Sequence, residues 1–155
     1  MEFEAAIALD RNNARAYFSF GLTLVLLGQP EAAIPHIEKA LRLNPYDPNA
    51  ANFYWSLGMC HLLLNDPDRP IEFLTKARAG NPRGYYAHLS LAGAFGLKGN
   101  LDQEKAALAE ALALKPEINS LARLREYAWM NNPLYWVLRE KTVDLGLRGA
   151  GFPEE

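Results

Sequence analysis

The sequence predicts an all-α protein, a solenoid of stacked helical hairpins closed by a helical cap at its C-terminal end. Three observations carry that prediction. Glycine and proline recur at nearly fixed spacing: Gly21 and Gly58 lie 37 residues apart, Pro45 and Pro82 also 37, and Pro82 and Pro116 34. Between them, sets such as Tyr17, Phe20, Gly21 and Leu24 follow the i, i+3, i+4, i+7 spacing of one helix face. No stretch alternates apolar and polar residues with period two, so no strand is expected.

Each element follows from the register. In the first helix of each unit, Tyr17, Phe20, Gly21 and Leu24 recur as Tyr54, Leu57, Gly58 and His61, then as His88, Leu91, Ala92 and Phe95. In the second, Ile37, Ala40, Leu43 and Pro45 recur as Leu74, Ala77, Gly80 and Pro82, then as Leu108, Ala111, Leu114 and Pro116. Gly28, Asn65 and Gly99 fall between paired helices, where a short turn needs permissive backbone. The prolines at 45, 82 and 116 cannot continue a helix, so each turns the chain into the next unit. Phe3, Ala6 and Leu9 stand 34 residues before Ile37, Ala40 and Leu43, so residues 2 to 9 read as the second helix of a unit entered midway.

Set out this way, the chain resembles the tetratricopeptide repeat (TPR) family. Tyr17, the pair Phe20-Gly21, Ala33, Ile37, Ala40 and Pro45 match the positions that define that family's two helices. The resemblance implies a right-handed superhelix whose first helices line a concave binding face. It covers residues 1–116, with a partial unit at 2–13 and units at 14–47, 51–84 and 85–118; residues 117–155 form a separate C-terminal cap and tail. Departures are local. The first small alanine of the second helix is Ala33, then Pro70, then Glu104, and three extra residues around Pro48-Asn49-Ala50 lengthen the first spacings.

Two prolines disturb the pattern. With Asp68 as N-cap, Pro70 falls in a first turn, where its missing N–H costs nothing, and that helix should start late. Pro35 lies deeper, in Glu31-Ala32-Ala33-Ile34-Pro35, where a kink is expected to relieve a cost of up to about 3 kcal/mol.

Past Pro116 the repeat ends. Leu121, Leu124, Tyr127 and Ala128 share one face of a helix to about residue 130, and Asn132-Pro133 reads as N-cap and first-turn proline of a last helix to about Leu145. That makes nine helices, the last two closing the stack. The closing Gly146-Leu147-Arg148-Gly149-Ala150-Gly151-Phe152-Pro153 is too glycine-rich for a helix and should lie over the fold as a peptide. The tail also resembles the C-termini of TPR portions in bacterial multidomain signalling proteins, where a class III nucleotide cyclase or a winged-helix domain precedes the repeats. That resemblance implies a fragment of a longer signalling protein.

Composition narrows the function. At 155 residues, half of them apolar, the chain can bury a core without staples, and a net charge of −2 without charge runs makes nucleic acid or an anionic membrane an unexpected partner. One cysteine rules out an internal disulfide. The acidic N-terminus Met1-Glu2-Phe3-Glu4 has no signal-like pattern, so a cytoplasmic location is expected. The longest apolar stretch, Ala16 to Gly28, is too short to span a bilayer.

No catalytic set, metal site or cofactor is expected. His36, His61 and His88 fall on different helices, and Cys60 lies among small core residues with no nearby base to lower its pKa. Gly93-Ala94-Phe95-Gly96-Leu97-Lys98-Gly99 follows no strand, so it is not read as a phosphate loop. The carboxylates read as solvated helix exteriors.

The concave face remains. Its expected lining is Arg15, Phe18, Ser19 and Leu22 from the first unit, Asn52, Trp55, Ser56 and Met59 from the second, and Tyr86 and Ser90 from the third, with Leu89, Gly93 and Gly96 beside them. Ser19, Ser56 and Ser90 would form a ladder of hydroxyls suited to a peptide backbone. TPR domains that clamp a chaperone's C-terminal carboxylate carry lysine, arginine and asparagine there; Phe18, Trp55, Leu22 and Met59 make such a ligand unexpected. The face predicts a scaffold for an apolar peptide or helix. The alternatives are a dimerisation or regulatory segment of a larger signalling protein, and a groove filled by the chain's own tail around Leu147 and Phe152.

Overall fold

The computed structural model describes residues 2–66 and 68–155; the side chains of residues 2–4 and of Ala6 lie outside the described set, and with them the expected apolar contact of Phe3. Among the described residues there are ten helices and no strand. Three hairpins pair α2 (Ala14–Leu26) with α3 (Pro30–Leu43), α4 (Ala50–Leu63) with α5 (Arg69–Gly80), and α6 (Tyr85–Leu97) with α7 (Leu101–Leu114). α1 (Glu2–Leu9) packs on α2, and α3 on α4 and α5 on α6 join the hairpins into one stack.

Small residues set how closely the paired helices approach. A Cβ on Gly21 would fall 2.5 Å from Ile37 Cγ1, and one on Gly58 would fall 2.6 Å from Leu74 Cγ. The third unit has Ala92 at this position, fully buried. Gly28, Asn65 and Gly99 all take positive φ, at 73°, 55° and 70°. Each ends its helix in the same way: the following residue donates its N–H back to Leu24, His61 or Phe95 O at 2.9 Å, the six-to-one bond of a Schellman turn. At the far end of each hairpin, Asn44, Asn81 and Lys115 donate N–H to Ala40, Ala77 and Ala111 O at 3.0 Å, and the next residue is the proline that stops the helix.

α3 runs from Pro30 through Pro35 to Leu43 as one helix, with Pro35 exposed. α5 does start late, with Asp68 at the N-cap position and Pro70 in the first turn; the Asp68 side chain accepts no cap bond, and the N–H groups of Asp68 and Arg69 go to Asp66 Oδ1. The inserted loop before α4 is held by Asp47, which accepts from Asn44 Nδ2 and from the Asn49 N–H.

The C-terminal region departs from expectation. It contains α8 (Leu121–Tyr127), α9 (Pro133–Glu140) and α10 (Val143–Gly149), so the described residues have ten helices rather than nine. Asn132 caps α9 as expected, accepting the Leu134 N–H at 2.9 Å. The helix then breaks at Lys141-Thr142, and the glycine-rich segment expected to be a bare peptide is α10, packed along α6. Burial against α6 outweighs low helix propensity, and the glycines allow the approach. A Cβ on Gly146 would land on the Gly93 carbonyl oxygen, and one on Gly96 would land on the Gly146 carbonyl oxygen. Only residues 150–155 run on as tail; they bury Phe152 and offer the carbonyls of Pro153 and Glu154 to the N–H groups of Leu121 and Ala122 at the start of α8.

Candidate peptide groove

The first helices α2, α4 and α6 line the inner face, and a cavity of about 290 Å³ opens where they meet the α8–α9 turn. Phe18 and Leu22 of α2, Asn52 and Trp55 of α4, Tyr86 of α6 and Trp129 of the turn enclose it, and no charged side chain lines it. The Trp55 and Tyr86 rings lie 5.9 Å apart, and Phe18 packs on Phe53 in a tilted arrangement with centroids 4.2 Å apart. Phe18, Trp55 and Tyr86 are half-buried, whereas Trp129 is 60% exposed.

Trp55 is held from beneath. Its Nε1 donates to Ser90 Oγ at 3.2 Å, and Ser90 in turn donates to Met59 Sδ at 3.2 Å. This replaces the expected ladder of hydroxyls. Ser90 and Met59 are buried behind the wall, Ser56 is buried at the cavity floor, and Ser19 is the one serine of the three that is partly exposed. Ser56 lines the cavity with its hydroxyl unpartnered.

A second hollow of about 240 Å³ adjoins the first, sharing Phe18 and Asn52 and adding Arg15, Ser19, Asp47 and Asn49. Both Asp47 oxygens are committed to the loop, leaving the exposed Arg15 as the charge this hollow presents. In the third unit the groove reaches Tyr86 and Ala87 and goes no further along α6. Gly93 and Gly96, expected in its lining, are covered by α10, which also buries Leu147.

The histidines take structural places. His61 stacks on Phe73 at 5.5 Å and approaches Asp66 Oδ2 with Nδ1 at 3.3 Å; burial pulls its pKa down, against the pull of Asp66 upward. His88 sits between Glu110, 2.7 Å from Nδ1, and the Pro82 carbonyl, 2.8 Å from Nε2. His36 lies against Phe20, with centroids 4.5 Å apart. Burial pushes the Cys60 thiol up to about 12. Among the described residues, no three His, Cys, Asp or Glu side chains come together to hold a metal.

Not every carboxylate is on an exterior. Asp144 is buried with Arg139, whose Nε lies 2.8 Å from Oδ1, an ion pair by distance that lacks hydrogen-bond alignment. Glu104, in a position where Ala33 serves the first unit, is fully buried between α6 and α10. Trp129 and these two acids are the residues sequence reasoning missed. All three owe their surroundings to the cap, which has no repeat register to read.

A stack of helical hairpins with an apolar cleft on its inner face defines a helical-repeat binding protein. The chain belongs to the tetratricopeptide repeat family: descriptions of that repeat match residues 2–34 and 19–80, together just over half of the chain. No curated protein matches it. Among solved structures it is similar to MamA, with 21% identity and a TM-score of 0.69 over 96% of this chain and 81% of that one. It is also similar to PilW, described as a widely conserved type IV pilus biogenesis factor, with 19% identity and a TM-score of 0.69 over 96% of this chain and 63% of that one. At such identities the likeness is one of fold. No helix among the described residues is long and apolar enough to cross a membrane.

Proposed function

We propose that this protein is an interaction scaffold that takes an extended peptide across its inner face, with one large apolar side chain seated among Phe18, Leu22, Trp55 and Tyr86. The cleft itself carries the reading: it is uncharged, aromatic-walled and open at the surface. Its volume lies at the foot of the range of about 300–1,000 Å³ usual for small-molecule sites, which suits a single side chain better than a cofactor. Seating an aromatic anchor there contributes roughly 1.5 to 3 kcal/mol. Asn52 lines both hollows and in this reading bonds the peptide backbone, with Arg15 and Ser19 meeting the neighbouring residue. Ser56, Ser90 and Met59 belong to this site as its support. The role is binding rather than catalysis.

Tryptophan emission tests the reading. Short peptides carrying a central Phe, Leu or Trp in polar flanks should shift the emission saturably, and the same peptides with alanine at the centre should not. Phe18→Ala should abolish the response. If no anchor-bearing peptide gives a saturable shift, the groove is not a peptide site.

The other end of the stack favours a second reading. There Leu9 is 90% exposed beside a hollow of about 560 Å³ lined by Ile7, Ala8, Arg11, Tyr17, Phe20 and His36. This end suits self-association, as in a dimerisation or regulatory segment of a bacterial signalling protein. A strictly monomeric mass at high micromolar concentration counts against it.

A further inference from the structure

Glu104 is fully buried at the junction of α6, α7 and α10, and neither carboxyl oxygen has a hydrogen-bond partner. It faces a cradle of glycine. Ideal Cβ atoms on Gly96 of α6 and Gly149 of α10 would lie 2.7 Å and 3.2 Å from its Oε1, and the carbonyl oxygen of Gly146 borders the same space. We propose that Glu104 is a proton-operated latch for α10: with the carboxyl protonated the helix stays docked on α6, and with the carboxylate ionised it is loosened, uncovering the Gly93–Gly96 face at the end of the groove.

The chemistry of the site sets the direction. A buried carboxylate without partners is costly, and a protonated acid avoids that cost while bringing one O–H donor to a site bordered by a carbonyl oxygen. The charged and polar groups around it do little to rescue the anion. From the end of α10 the Ala150 N–H favours the ionised form without closing to a hydrogen bond, Lys105 of α7 favours it less, and α6 offers Gly96, which has no side chain; burial outweighs them. The ionisable groups of α10 are engaged elsewhere, Asp144 with Arg139 and Arg148 with Glu154. Burial accordingly raises the Glu104 pKa above the ordinary 4.5. Because the docked state holds the proton more tightly, docking is at full strength below that ordinary value and weakens as pH rises toward the docked-state pKa.

The inference concerns the cap and stands whether or not the groove takes a peptide. Amide hydrogen exchange of α10, corrected for the intrinsic pH dependence of exchange, tests it on the full chain. In the wild type, protection of residues 143–149 should fall as pH rises above the ordinary carboxyl value of 4.5, by roughly tenfold for each pH unit separating the undocked and docked midpoints. Protection of α4 should change far less. Glu104→Gln, which keeps the shape without the charge, should hold α10 protected throughout. Glu104→Ala, the first unit's choice at this position, should remove the pH dependence too. Wild-type protection that does not fall with pH, or a fall that persists in Glu104→Gln, overturns the latch.

Discussion

Gly93 of α6 and Gly146 of α10 meet backbone to backbone: a methyl group on Gly146 would clash with the Gly93 carbonyl oxygen. The obstacle is backbone, which cannot swing aside as a side-chain tip can. Gly146→Leu should therefore undock α10 and cost at least the roughly 1 to 3 kcal/mol of an overpacked core. Urea melts give the loss, and limited proteolysis should then cut near Lys141 while α2 to α7 persist.

Gly58 makes the corresponding contact within a repeat, with Leu74 Cγ only 2.6 Å from where a Cβ would stand. Gly58→Leu should force α4 and α5 apart and lower stability by about 1 to 3 kcal/mol. An unchanged thermal midpoint would mean that the hairpin adjusts its spacing freely.

Trp129 separates binding from folding. It borders the cleft yet is 60% exposed, so Trp129→Ala should leave stability within about 0.5 kcal/mol, as for most surface changes. Peptide affinity should nevertheless fall. Trp55→Ala should lose both, since its indole is a wall of the cleft and also bonds to Ser90; anchors of this kind typically carry 2 kcal/mol or more of binding energy.

His61 gives the fold an acid-side dependence opposite to that of Glu104. Burial lowers its pKa from the ordinary 6.5, so the folded state favours the neutral ring. Its contribution is complete above that value and is lost as pH falls from 6.5 through the folded pKa. Denaturant midpoints of wild type and His61→Phe, measured from pH 7.5 downward, should diverge in slope over that window, with the variant flatter.

Cys60 should be silent in the native protein. It is fully buried with its thiol pushed up to about 12, so the thiolate that reacts with alkylating agents is scarcely formed at pH 8. Labelling should proceed only at the rate of opening, and adding about 6 M guanidinium should bring it to the rate of a free thiol.

What the sequence by itself determined is what local rules govern. Gly28, Asn65 and Gly99 announced short turns because those turns need permissive backbone. Pro45, Pro82 and Pro116 announced helix ends because proline lacks the N–H to continue, and Asn132 announced the α9 cap by its place before Pro133. Repetition multiplied these signals. Each unit meets a neighbour like itself, so the matching places of Gly21 and Gly58, and of Ile37 and Leu74, could be read from one register. Tertiary structure decided the parts without a repeating neighbour. Residues 143–149 are poor helix formers by propensity, and they become α10 because α6 offers a glycine face against which Val143 and Gly146 can pack closely. The same packing turned Glu104 from a surface acid into a buried one and brought Trp129 to the rim of the cleft. It also set Ser90 and Met59 behind Trp55 instead of along the groove. Helical spacing fixes which residues share a face, but which part of that face stays open depends on a cap whose position is encoded by contacts far apart in the chain.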